Sequence, residues 1–161
     1  MWNSLIDILL KLTKIYDELF LLNEKKRSAV LDIDMHILDM IVDEEQKLTD
    51  IIMKVEKERQ DILKKMAAKN ALVNKLSNSK TLTMVCPTEY KEKFLTANEK
   101  LSNAVKRTAD INETNRLLLR GALTAVNINI NALVQMKAEP NYKENGNQQF
   151  FPQNKNLDFK V

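Results

Sequence analysis

A chain of 161 residues suits one domain of ordinary size or an elongated one with a tail, and its 2 glycines and 3 prolines cannot supply the tight turns of a many-stranded sheet. The net charge of +3 is small, but residues 31–60 carry nine acids against four bases while 61–110 carry five acids against ten bases. That spread suits helices that attract one another, and few aromatics stand among the lysines to make a nucleic-acid surface.

In residues 1–22 the positions Trp2, Leu5, Leu9, Leu12, Tyr16 and Leu19 recur at steps of three and four, flanked by Ile8, Ile15 and Leu22. This is an amphipathic helix with a wide apolar face. Its stripe is expected to stop at Leu22, with the charged "NEKKR" carrying a solvated extension to about Val30. Asp7, Lys11, Lys14, Asp17 and Glu18 interrupt the run, so it reads as neither signal peptide nor membrane anchor. Asp32 or Asp34 can cap the next helix by accepting from its free amides.

That second helix is expected over residues 34–68, with Ile37, Ile41, Leu48, Ile51, Ile52, Val55, Ile62 and Met66 on its stripe. Glu44/Glu45 and Glu58/Arg59 fall where the stripe would continue, so its packing should be interrupted twice. The stretch "NALVNKLSNSKTLTMVCP" at 70–87 loses the pattern and is assigned a short helix followed by a connector. Thr88 opens the third and longest helix, whose stripe runs from Tyr90 and Phe94 through Ile111 to Leu133 before Pro140 ends it. "VNININ" at 126–131 alternates as a strand would, but helical periodicity on both sides outweighs it. Beyond Pro140 the chain is rich in Asn, Gln and Lys with isolated aromatics, the composition of a flexible tail.

The fold expected is therefore all-α: an elongated antiparallel three-helix coiled-coil bundle with a short extra helix or connector. Residues 1–137 form the bundle domain and 138–161 the polar C-terminal tail.

No catalytic constellation survives inspection. His36 is the only histidine and sits in a charged helix start. The acid-rich "DIDMHILDMIVDEE" resembles a calcium loop but has Ile37 where glycine and Asp43 where a bidentate glutamate is needed. Cys86 is the one cysteine, which excludes an internal disulfide or a cysteine zinc cluster and fits a reducing compartment. No enzyme activity, metal or cofactor is expected. What remains is apolar helix surface for other proteins: an unpaired amphipathic helix leaves a groove for a partner helix.

The order of parts resembles the FlgN family of flagellar export chaperones: a leucine-rich first helix, "KKRSAVLDID", a charged helix with "EKERQDIL", a polar connector, and a last helix with "LSNAVKRTADINETNRLLLRGAL". A tail with "YKENG" and a closing "LDFKV" complete the likeness. The resemblance implies a cytoplasmic chaperone, monomeric or weakly dimeric, without nucleic acid or membrane insertion. It implies that hook-filament junction proteins are held by their amphipathic C-terminal helices and delivered to the type III export gate. By that analogy the partner face comprises Asn115, Leu118, Leu119, Ala122, Leu123, Val126, Ile130 and Leu133, and Tyr142 docks on the gate. A self-assembling coiled-coil structural or adaptor protein is the alternative that the same heptads allow.

Asn112 and Asn115 sit among apolar positions on the last helix. They either form a polar layer that fixes helix register or line the lower rim of the partner groove.

Overall fold

The computed structural model describes residues 1–70, 72–73 and 78–137. Among these the elements in chain order are α1 (Trp2–Asp32), α2 (Met35–Ala67), α3 (Ser79–Val85) and α4 (Thr88–Lys137). The chain divides into two compact units, Met1–Ala122 and Leu123–Val161. The expected tail, 138–161, lies outside the described residues.

In the first unit α1 and α2 run antiparallel, as ion pairs from Lys11 to Glu58 and from Lys26 to Glu45 require. α4 runs parallel to α1. Trp2 meets Phe94 edge to face at 5.6 Å, the Thr108 hydroxyl donates to the Tyr16 carbonyl at 3.1 Å, and the Asn115 amide donates to the Asn23 carbonyl at 2.8 Å. Each of these partners is 92 residues from the other, so one register holds along the whole seam. An up-down-up bundle of three long helices gives this arrangement, with α3 as the short extra helix.

The turn between α1 and α2 is tight. Asp34 caps α2 by accepting from the Ile37 amide at 3.0 Å, as its position predicts. Ile33 closes α1 in the left-handed region at φ 55, and its own amide and that of Asp34 return to Val30 and Ala29. A β-branched residue there is strained, because its Cβ crowds the backbone.

The core consists of three clusters. Leu5, Ile6 and Leu9 of α1 meet Leu63 and Met66 of α2, Val73 and Leu82 of the connection, and Phe94 and Ala97 of α4. Ile8, Leu12, Ile15 and Val55 form the second. Leu22, Ala29, Val30, Leu38 and Ile41 form the third, against which Leu48, Leu118 and Leu119 pack.

Three expectations are corrected. The end of α1 is not a purely solvated extension: Asn23, Ala29 and Val30 are buried. The stripe of α2 is rotated slightly, burying Leu38 and Leu63 and leaving Ile37 and Ile51 exposed. Between α2 and α4 a short helix occupies Ser79–Val85, directly before Pro87 where the connector was expected, with α3 capped by the Asn78 side chain and its Leu82 driven into the core. The "VNININ" stretch is helical throughout, as the flanking period requires.

Of the two expected interruptions on α2, the one at Glu45 is filled by charge. Its carboxylate lies 2.6 Å from the Lys26 ammonium, with both side chains less than a fifth exposed. An apolar gap is thereby replaced by an interhelical ion pair whose partners must stay together.

Candidate partner-binding helix

The sequence places a partner face on the last helix, and the structure sorts its residues into two groups. Asn115 is 1% exposed, and its amide nitrogen donates to both the carbonyl and the Oδ1 of Asn23. Asn23 is 2% exposed and donates in turn to the Leu19 carbonyl. The Oδ1 of Asn115 is buried with no hydrogen-bond partner. Asn115 thus stands inside the bundle and reaches across to α1. Asn112 is exposed and takes no part in this layer.

Leu118 and Leu119 are half-buried against the third core cluster. They contribute to closing the bundle. Ala122, the last residue of the first unit, is exposed.

Residues Leu123–Lys137 of the second unit differ from all of this. They are helical, and of residues 123–135 every one but Ala132 is exposed. Leu123, Val126, Ile130 and Leu133 are 54%, 51%, 44% and 59% exposed and recur at helical steps of three, four and three, so they form one row. Residues 121–136 contain no Asp, Glu, Lys or Arg. A solvent-facing helix normally carries charge, and sixteen residues without any mark a surface made to be covered. Three asparagines, Asn127, Asn129 and Asn131, supply the polarity that charge would otherwise provide.

By length and composition α4 is also apolar enough to cross a membrane, and none of the relevant window is buried. The asparagines argue against that use, since each amide placed in hydrocarbon without a partner costs several kcal/mol, on the order of 4.

Tyr142, the expected gate contact, lies outside the described residues. The sequence reading missed Asn23, whose signal was available. Trp2, Leu9, Tyr16, Asn23 and Val30 recur at seven-residue steps, as do Phe94, Leu101, Thr108 and Asn115. Paired in order, the first four of one series match the other, and Asn23 falls opposite Asn115.

Cys86 offers no nucleophile. It is buried in the first cluster, its Sγ lies 3.6 Å from the Pro87 carbonyl, and burial raises its thiol against a smaller opposing effect of Lys91.

No curated protein and no solved structure matches the chain. A family model does: that of the FlgN protein matches residues 1–149, nearly the whole chain and both units of the structure up to that point. The buried three-helix architecture, the bare helical stretch that follows it and this match agree, and the chain belongs to the FlgN family of flagellar export chaperones.

Proposed function

We propose that this protein works in the cytoplasm and holds the amphipathic C-terminal helices of hook-filament junction proteins against residues Leu123–Lys137, then presents them at the type III export gate through Tyr142. One observation carries the reading: an exposed, charge-free helical stretch with Leu123, Val126, Ile130 and Leu133 in a single row. A client helix whose own apolar residues recur at the same spacing can lay them between these four. Each of the four is about half exposed, so covering it gains roughly 1 kcal/mol of hydrophobic stabilisation, to which the client's own buried side chains add. Part of that gain is lost to the ordering that association requires, so binding should be reversible, as release before export demands.

Asn115, Leu118 and Leu119 support the reading indirectly. They belong to the packed interior of the first unit, which leaves Leu123, Val126, Ile130 and Leu133 as the members of the expected face that are bare.

Isothermal titration of a junction-protein C-terminal helix into the chain tests the proposal. Val126→Glu with Ile130→Glu places two charges in the row and should weaken binding by at least about a hundredfold, that is about 3 kcal/mol, while far-UV circular dichroism stays the same. Unchanged affinity in the folded double variant would overturn it. Deleting residues 138–161 should leave helicity almost intact yet weaken client binding. Tyr142→Ala should spare client binding and weaken capture by the gate. Partition of the wild-type chain into lipid vesicles in the absence of client would instead favour a membrane role for the same stretch.

A further inference from the structure

A second uncovered surface lies in the first unit, on the α1–α2 pair. Its centre is an open groove of about 380 Å³ with Leu22 and Leu48 as floor. Leu21 stands in the groove at 57% exposure, and Glu18 and Lys25 of α1 with Glu44 and Lys47 of α2 line its rim. All four rim side chains are exposed, and none has an ion-pair partner among the described residues. Immediately beside them Lys26 and Glu45 are paired at 2.6 Å, so opposite charges on these two helices do find each other where the geometry allows.

The order of the rim charges is the informative feature. Along α1 an acid precedes a base by seven residues, two helical turns or about 10 Å, too far for the two to pair on their own helix. Along α2 an acid again precedes a base. A two-fold axis lying across the groove at right angles to the helices sets α1 on a second α1 and α2 on a second α2, each pair antiparallel. Glu18 then faces Lys25 of the other copy, Glu44 faces Lys47, and the reciprocal contacts follow from the symmetry. Leu21 falls near the axis and meets its own equivalent. An exposed leucine enclosed by charges that a second copy would satisfy has the anatomy of an interface: an apolar centre inside a polar rim.

We infer that the Glu18–Lys25 and Glu44–Lys47 face of α1 and α2 is a self-association surface on which a second copy of this chain docks through a two-fold axis. The occupant is a copy rather than another protein because the rim is complementary to itself. The patch comprises seven residues, fewer than the roughly 20–30 a side of a stable interface, so the association is weak and depends on concentration. It uses no residue of the proposed client row, so the two surfaces can be tested separately.

Sedimentation velocity of the full chain at low ionic strength, from micromolar to millimolar concentration, tests it, with circular dichroism to confirm that each variant is folded. The wild type should show a reversible monomer–dimer equilibrium. Glu18→Lys and Lys25→Glu each place like charges opposite one another twice per dimer and should each weaken association by about tenfold or more. Glu18→Lys combined with Lys25→Glu exchanges the two signs and should restore dimerisation, because each altered residue again faces its opposite in the second copy. A wild type that is monomeric throughout, single variants that dimerise like the wild type, or a combined variant that stays as weak as the single ones would each overturn the inference. Client titration into the Glu18→Lys variant should give wild-type affinity, which separates failure of this surface from failure of the client row.

Discussion

At Asn23 and Asn115 two amides displace apolar volume at the end of a hydrophobic seam. The arrangement is only partly satisfied: one nitrogen of Asn115 serves two acceptors of Asn23, while the Asn115 Oδ1 has none. Such a layer lowers stability and raises the cost of any other alignment, since a slipped helix would bury both amides without each other. Asn115→Ala should therefore destabilise the fold by about 2 kcal/mol in urea denaturation, because it leaves the Asn23 Oδ1 buried without its donor. Asn23→Leu together with Asn115→Leu should recover that loss or exceed it, and a double-mutant cycle measures the coupling. Ile33 presents the opposite case, a strained residue without packing in return. At φ 55 and 75% exposure, Ile33→Gly should raise stability by about 1 kcal/mol by relieving the left-handed strain. Tyr16 supplies a pH dependence. Burial, and secondarily the nearby Glu56 carboxylate, push its phenol above the ordinary value. A group whose folded pKa is raised contributes stability that is complete below its unfolded pKa and declines as pH rises past it. The unfolding midpoint should fall above about pH 10, and Tyr16→Phe should flatten that decline.

For the elements, what was legible in the sequence follows from how much burial each side chain's type announces. The three long helices, the Asp34 cap and the breaks near Asp34 and Pro87 are written in apolar spacing and in residues with few conformational choices, and the structure has them. The rotation of α2 was not legible, because Ile37, Leu38 and Ile41 offer two overlapping stripes of similar apolarity. Only packing against Leu22 and Val30 decides between them. The burial of Asn23 was hidden because an amide next to "EKKR" reads as solvated; only the seven-residue register shared with α4 reveals it. Val73, Leu82 and Cys86 lie in a segment of Ser, Asn and Thr whose polarity conceals three core positions. The burial of Cys86 has a chemical consequence. Its raised thiol should alkylate slowly with iodoacetamide in the native protein and rapidly in denaturant; equal rates would show that α3 does not cover it.

For the whole molecule, the division into two units separates covered apolar surface from bare. Residues 1–122 bury their apolar stripes in three clusters, whereas Leu123, Val126, Ile130, Leu133 and Val134 stay in solvent. The eight residues expected to bind a partner were drawn from one continuous sequence pattern. That pattern does not change where Asn115, Leu118 and Leu119 are covered and where Leu123, Val126, Ile130 and Leu133 are bare. Periodicity specifies which side chains share a face, but the presence of a neighbour over that face depends on where other helices end. Hydrogen–deuterium exchange of the chain with and without a junction-protein C-terminal helix tests the central claim most directly. The account predicts that client binding slows exchange at the amides of residues 123–137 and leaves those of α1 and α2 as they were; protection confined to α1 and α2, with 123–137 exchanging at the free rate, would contradict it.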